Sequence, residues 1–306
     1  MIGRRISIAA TLLFLVLLAL RPEAAGEGAA AGLRLCAGTL IPALFPFSVA
    51  SGVLVRMGFG ANPSAFADNW MQRCFGLPGV AALPLLLGFL GGYPLGAQIL
   101  ADQVRAGTIP KQDAVRLSAF CSNAGPGFIL GAVAPAVLGS TVLGAVLLLI
   151  HVLSALITGI LMRGPRTPST QNRKLRRKSL PFSSAFPEAL SASASAMVRV
   201  TGAVVFFSVL NRLLPAAASD LPAWTGSLIR GVLELSGGIF GLQSTSSALA
   251  FPICALLLGW GGLCVHLQTA QLFLSAGIPM RRYLFGKLLQ ASISFFLAAG
   301  FPALCG

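Results

Sequence analysis

The chain has 306 residues, of which 56% are hydrophobic and only 10% charged, and its mean hydropathy is +0.84. A soluble domain carries about 25% charged residues, so a polytopic membrane protein is expected, with about seven to nine membrane elements in this length. A β-barrel is excluded because the apolar runs are continuous and lack period-two alternation, and the net charge of +14 lies between apolar segments, without the folded basic module that nucleic-acid binding needs.

Arg4 and Arg5 precede an apolar run from Ile6 to Leu20, with small residues at Ala29–Ala31. This reads as a signal peptide or a first transmembrane helix; the retained helix, occupying 1–32, is preferred because a membrane bundle follows. The next apolar stretch is 38–55. Residues 79–105 run apolar into Gly91-Gly92-Tyr93-Pro94 and continue in a more polar half. Gly-Gly and Tyr-Pro are breakers, and each half is too short to span, so a re-entrant helical hairpin is predicted. An apolar element at 117–137 is interrupted at Ser122-Asn123-Ala124-Gly125-Pro126-Gly127, and 141–162 closes the first unit, 33–162.

A linker at 163–185 follows, with Arg163, Arg166, Arg173, Lys174, Arg176, Arg177 and Lys178 in a Pro/Ser/Thr-rich setting. Cationic loops of membrane proteins stay cytoplasmic and meet anionic headgroups. The second unit, 186–306, repeats the order of parts: a helix at 198–214, a broken element at 224–243 centred on Ser236-Gly237-Gly238, a helix at 247–274 interrupted at Gly259-Trp260-Gly261-Gly262, and a closing helix at 283–303. Phe207-Ser208-Val209 in the second unit matches Phe47-Ser48-Val49 in the first.

A cytoplasmic linker requires an even number of crossings before it, which the hairpin at 79–105 supplies by entering and leaving at one face. That threading leaves only Arg21, Arg34, Arg212 and Arg230 outside and the other 18 of the 22 Lys and Arg inside. The first unit then starts outside and the second inside, so the expected fold is an all-α polytopic bundle of two inverted-topology repeats. Each repeat carries a re-entrant hairpin and an interrupted helix.

Broken helices expose backbone polar groups, which hydrocarbon tolerates only inside protein or along a wet cavity. Half-helix ends then present dipoles and unpaired groups to a solute near the midplane. Glycines also serve close helix packing; at Gly91–Pro94 and at Ser122–Gly127 a cavity lining is the preferred reading. Tyr93, Gln98, Ser122 and Asn123 are expected close together, the hairpin tip meeting the interrupted helix of its own repeat. Glu234 stands as the acid placed at depth. It either faces the cavity and takes a cation or proton, or forms an anchoring pair with Arg230, with Gln243 to Ser247 as further candidate partners. His151, alone on an apolar helix, reads as packing; His266, with Gln268 and Thr269 after the Gly259–Gly262 break, is a candidate site residue. The six cysteines (Cys36, Cys74, Cys121, Cys254, Cys264, Cys305) form no CxxC pair and read as apolar packing. HExxH, GxSxG and Walker A sequences are absent, and Gly286-Lys287 lacks the rest of a phosphate loop. No enzyme, no cofactor and no metal are expected.

Gly88-Phe89-Leu90-Gly91-Gly92-Tyr93-Pro94-Leu95-Gly96-Ala97-Gln98 resembles the Gly-Tyr-Pro-x-Gly-Ala signature of YlbJ-like sporulation integral membrane proteins. Arg116 to Asn123, Gly127 to Val133 and Phe207 to Asn211 match further, and the resemblance covers roughly residues 33–303. Gln98 stands where Lys is expected in many relatives. The resemblance implies Gate, or nucleoside-recognition, domains similar to the gates of concentrative nucleoside transporters and bacterial ferrous-iron transporters. The expected function is a transporter or permease for a small polar solute, nucleoside-like compounds by family, in the bacterial cytoplasmic membrane. The alternative is a non-transporting scaffold for envelope or spore assembly, favoured by the scarcity of charge expected at depth. The candidate substrate-binding residues are Gly91, Gly92, Tyr93, Pro94, Gln98, Ser122, Asn123, Gly125, Gly127, Glu234, Ser236, Gly237, Gly238, Gln243, Ser244, His266 and Gln268. Expected partners are the lipid bilayer and a small polar solute, not nucleic acid, with homo-oligomerisation left open.

Overall fold

A computed structural model describes residues 2–60, 62–165, 179–213 and 222–305. The linker cations from Arg166 to Lys178, and Asp220 at the loop expected to face the other side, lie outside the described residues. Among those described there is no strand: the chain is an all-α, multi-pass membrane protein, with five helices long and apolar enough to cross a bilayer and a sixth candidate formed by a bent pair.

Helix α1 (Ile2–Leu20) is followed by α2 (Pro22–Leu35), which passes through a widened π-helical turn at Cys36–Leu40 into α3 (Ile41–Arg56). Together α2 and α3 make one helix, Pro22–Arg56, of 35 residues. The expected element at 38–55 is therefore the second part of a longer helix, and the expected unit boundary at 32/33 falls inside it. Gly28 and Gly32 form a packing surface on it. A Cβ on Gly28 would meet the Val209 backbone at 2.8 Å, and one on Gly32 the Val205 backbone at 2.9 Å. Their partner, α10 (Phe182–Leu213), runs antiparallel along the whole length. Arg21 donates to the Leu213 carbonyl, Ser48 to Ser193, and Leu180 N–H to the Arg56 carbonyl.

The short α4 (Ala65–Phe75), unanticipated in the sequence, is capped by Ser64 and ended by left-handed Gly76; it meets the following helix at 86°. Helices α5 (Ala82–Gly91) and α6 (Leu95–Arg105) flank a tip with left-handed Gly92 and a cis Tyr93–Pro94 bond. At 1.5 Å per residue each covers about half of a 30 Å core, as expected of a hairpin. Gly88 and Gly96 face each other across it, and both abut the Cys121 carbonyl oxygen. After α7 (Lys111–Leu117) the chain leaves the helix over 118–125 and resumes in α8 (Pro126–Leu138). The interruption thus begins four residues before the Ser122 expected from the breakers. Helix α9 (Thr141–Leu161) completes the first half.

In the second half α11 (Ala223–Leu233) and α12 (Leu235–Phe240) fold back on each other, with Gly231 against Gly238 and Ser227 against Gly241. The break lies at Glu234, not at Ser236–Gly238. Glu234 is extended (φ −137°, ψ 115°) and caps α12 with its own carboxylate. Gly237 and Gly238 are inside α12, where Gly238 permits the close approach to α11. Helices α13 (Ser247–Trp260) and α14 (Gly262–Ser275) are separated by left-handed Gly261, and α15 (Met280–Cys305) closes the chain.

Polar contacts of several cations mark the two ends of the Pro22–Arg56 helix. At its start Arg21 binds the Leu213 carbonyl, Arg212 pairs with Glu27, and Asn211 binds the Arg230 carbonyl. At its end Arg56 meets Leu180 and Glu188, and both flanks of the linker are held here or nearby through Arg116 beside Gly164 and Arg282 on the Met162 carbonyl.

Candidate functional site at the convergence of four helix breaks

The four interruptions meet. A Cβ on Gly92, at the first hairpin tip, would lie 2.9 Å from the Gly125 amide nitrogen in the α7–α8 break. Gly261, in the α13–α14 break, lies against the Tyr93 hydroxyl, and its neighbour Gly262 against the Leu235 amide nitrogen in the α11–α12 break. Each hairpin therefore touches the interrupted helix of its own half, and Tyr93 joins the halves by donating to the Leu258 carbonyl at 3.0 Å. Glycine is required at Gly92 and Gly262 because the opposing atoms are backbone, which cannot swing aside, and at Gly261 because its φ is +91°.

At the centre is a residue whose sequence neighbourhood places it with the cytoplasmic cations. Lys287, on α15, is 0% exposed. Its ammonium donates to the Tyr93 hydroxyl at 3.0 Å, the Ser122 carbonyl at 3.0 Å and the Gln290 Oε1 at 2.8 Å. All three donors are used, and no carboxylate among the described residues lies within ion-pair range of it. Gln290 in turn donates to the Asn123 Oδ1 at 2.9 Å, and the Asn123 amide to the Phe120 carbonyl at 2.8 Å. His151 accepts the Ala124 N–H at 3.0 Å on Nε2, so it satisfies a backbone donor freed by the break rather than merely packing. Ser294 and Ser154 bind each other at 2.7 Å one turn further along α15 and α9.

Ionisable groups are therefore not scarce in the interior: Lys287 is fully buried, and Glu234 is 3% exposed. Glu234 does not pair with Arg230 or the 243–247 run. Its two oxygens accept the Ser236 N–H at 2.9 Å and the Gly237 N–H at 2.6 Å, replacing the partners the break removed. A signal for Lys287 exists in the sequence: Lys287, Gln290 and Ser294 recur at i, i+3 and i+7, a polar stripe on one face of an apolar helix.

Tyr93, Glu234, Ser236 and Gln268 line one cavity of about 50 Å³, closed by Leu44, Phe128 and Val204 among others. Ser122 and Asn123 sit on the Lys287 side of Tyr93 through the bonds above, and Gly91, Gly92, Pro94, Gly125 and Gly127 shape the surrounding crossings. Gly127 abuts the Ala43 carbonyl. Gln98 is elsewhere, in a cavity on the linker side, so it does not join Tyr93 and Ser122. Gln243 and Ser244 are exposed on the turn after α12. His266 binds the Tyr283 hydroxyl through Nδ1 at 2.9 Å and stacks edge-on to Trp260. Three buried polar atoms near the breaks, Ser122 Oγ, His151 Nδ1 and His266 Nε2, have no partner in the structure, an arrangement that native interiors rarely leave without a reason.

The chain is 27% identical over 88% of its length, and 75% of the relative's, to the sporulation integral membrane protein YlbJ of Bacillus subtilis. The chain is thus similar to a sporulation integral membrane protein over most of both lengths. A multi-pass position in a bacterial inner membrane agrees with that relative and with the apolar helices. No family model matches the chain, and no solved structure matches it.

Proposed function

We propose that this YlbJ-like chain is a permease without a chemical step. It moves a small polar solute through two inverted repeats of Gate-like domains, in a membrane engaged in sporulation. The observation that carries the reading is the meeting of four helix breaks around buried Lys287 and Glu234. A bundle that only needs to be stable gains nothing by interrupting four helices and burying an ammonium at their junction, since each such group is costly in hydrocarbon. Broken helices facing one point provide the unpaired N–H and C=O groups that grip a polar solute. The antiparallel run of α2–α3 against α10, and the bond between Ser154 and Ser294 in corresponding closing helices, support the inverted relation of the halves. Nucleoside-like solutes are the class implied by the family resemblance and by nothing in the cavity itself.

Uptake of labelled nucleosides by proteoliposomes tests the reading. Uptake above protein-free vesicles, abolished by Lys287→Met, is the expected result; none across a panel of nucleosides, bases and small polar amides would sink it.

A second reading, a membrane scaffold for spore assembly, is favoured by the size of the central cavity, about 50 Å³, where small-molecule pockets measure about 300 Å³ or more. The two separate in a sporulating host. Restoration of spore formation by a correctly inserted Lys287→Met variant would favour the scaffold.

A further inference from the structure

A second cavity, of about 320 Å³, lies between α3, α6 and α10 and is polar where the bundle is otherwise apolar: Ser48, Arg56, Gln98, Asp102, Glu188 and Ser193 line it. Its charged lining residues are Arg56, Asp102 and Glu188, and each has an ion-pair partner, Arg105 from outside the lining. Arg56 pairs with Glu188 at 3.4 Å, and Asp102 with Arg105 at 2.8 Å. Its wall also includes Leu180, at the end of the basic linker, bonded to the Arg56 carbonyl.

This cavity stands in line with the central one on the same three walls. Along α3, Leu44 faces the central cavity and Ser48, one turn on, faces this one. On α10 the order is Val204 and Val200, then Ser193; on the hairpin it is Tyr93, then Leu95 and Gln98. One turn of helix, about 6 Å, separates the two along α3. The layer between contains Met197 and Ala196, both buried, and Phe45 of α3 packs on the cluster that includes them. Methionine is the most adaptable apolar side chain for such a place, having three rotatable bonds and no branch.

We propose that the polar cavity is the solute vestibule on the face of the protein that carries the basic linker, and that the Phe45–Met197 layer is the plug between it and the central site. With Arg56 paired to Glu188, no unpaired cation lines the vestibule, so it receives a hydrogen-bonding solute rather than an anion. Gln98 belongs to this entrance: an amide there offers both donor and acceptor. The inference rests on the permease reading, but its test needs no solute.

Cysteine is introduced at Gln98, at Ser48 as a near-isosteric second site, and at Leu44 beyond the plug, in otherwise native full-length protein in sealed vesicles of both orientations. A membrane-impermeant thiol reagent is added, modified sites are mapped by peptide mass, and orientation is read from protease cleavage of the linker. Thiols react as hydrated thiolates, so Q98C and S48C should label roughly tenfold faster from the linker face than from the other. Leu44→Cys should stay unlabelled from the linker face. Labelling of neither Q98C nor S48C, or equal labelling from both faces, overturns the vestibule. Leu44→Cys labelling as fast as Gln98→Cys overturns the plug. Each of these outcomes holds whether or not an uptake assay finds a substrate.

Discussion

At the scale of the residue, Lys287 is where the structure departs furthest from what its sequence neighbourhood suggests. A cation seven residues into a closing helix reads as interfacial, able to reach headgroups by extending its stem. Here the stem turns inward, and the ammonium finds the three acceptors that two broken helices and Gln290 make available. Removing it leaves the Ser122 carbonyl and the Gln290 amide oxygen buried without that donor. Lys287→Ala is expected to destabilise the protein by about 3 kcal/mol, the cost of breaking a buried charged network, seen as a lowered thermal midpoint in lipid nanodiscs. A midpoint equal to wild type would mean that the ammonium reaches water. Glu234 predicts a smaller effect. Glutamine keeps one acceptor for the Ser236 and Gly237 amides and alanine keeps none, so Glu234→Gln should cost less than Glu234→Ala, whose loss is about 1–2 kcal/mol on the scale of helix caps. Equal losses in the same melt would show that the cap is not what holds Glu234.

At the scale of the element, breaker residues located three of the four interruptions but not the fourth. Gly91-Gly92-Tyr93-Pro94 and Gly261 break their helices where Gly and Pro chemistry says they should, and the Ser122–Gly127 cluster lies at the end of its break. At Ser236-Gly237-Gly238 the glycines are helical, because their missing Cβ atoms admit α11, and Glu234 breaks the chain by capping. Sequence cannot tell a glycine that bends the backbone from one that lets a neighbour in; only the neighbour decides. The distinction is measurable. Alanine at Gly88 or Gly96 would drive a methyl into the Cys121 carbonyl, so each should destabilise by more than about 2 kcal/mol, as overpacking against rigid backbone does. Gly202→Ala, on α10 with nothing within 4 Å, should be neutral or stabilising by up to about 1 kcal/mol, the difference in helix propensity. Thermal midpoints of the three variants, measured side by side, check the order.

At the scale of the whole molecule, the cation count predicts a protease-accessible cytoplasmic linker. Trypsin should cleave between Arg163 and Lys178 only from the cytoplasmic face, and an impermeant reagent should reach a cysteine at Asp220 only from the opposite one. Both sites reacting from one face would end the inverted arrangement. Arg21, Arg212 and Glu27 lie at one end of the 35-residue helix and Arg56 and Glu188 at the other. Helicity and membrane embedding follow from the residues alone, because hydropathy and charge fix what hydrocarbon accepts. Most breaks follow from them too, because Gly and Pro act on their own backbone. Packing was needed to join α2 and α3 into one helix, to put Gln98 in a second cavity, and to turn Lys287 inward. Those outcomes depend on which surfaces meet across long sequence separations, and a partner such as Tyr93, 194 residues from Lys287, leaves no mark on the local pattern of either segment.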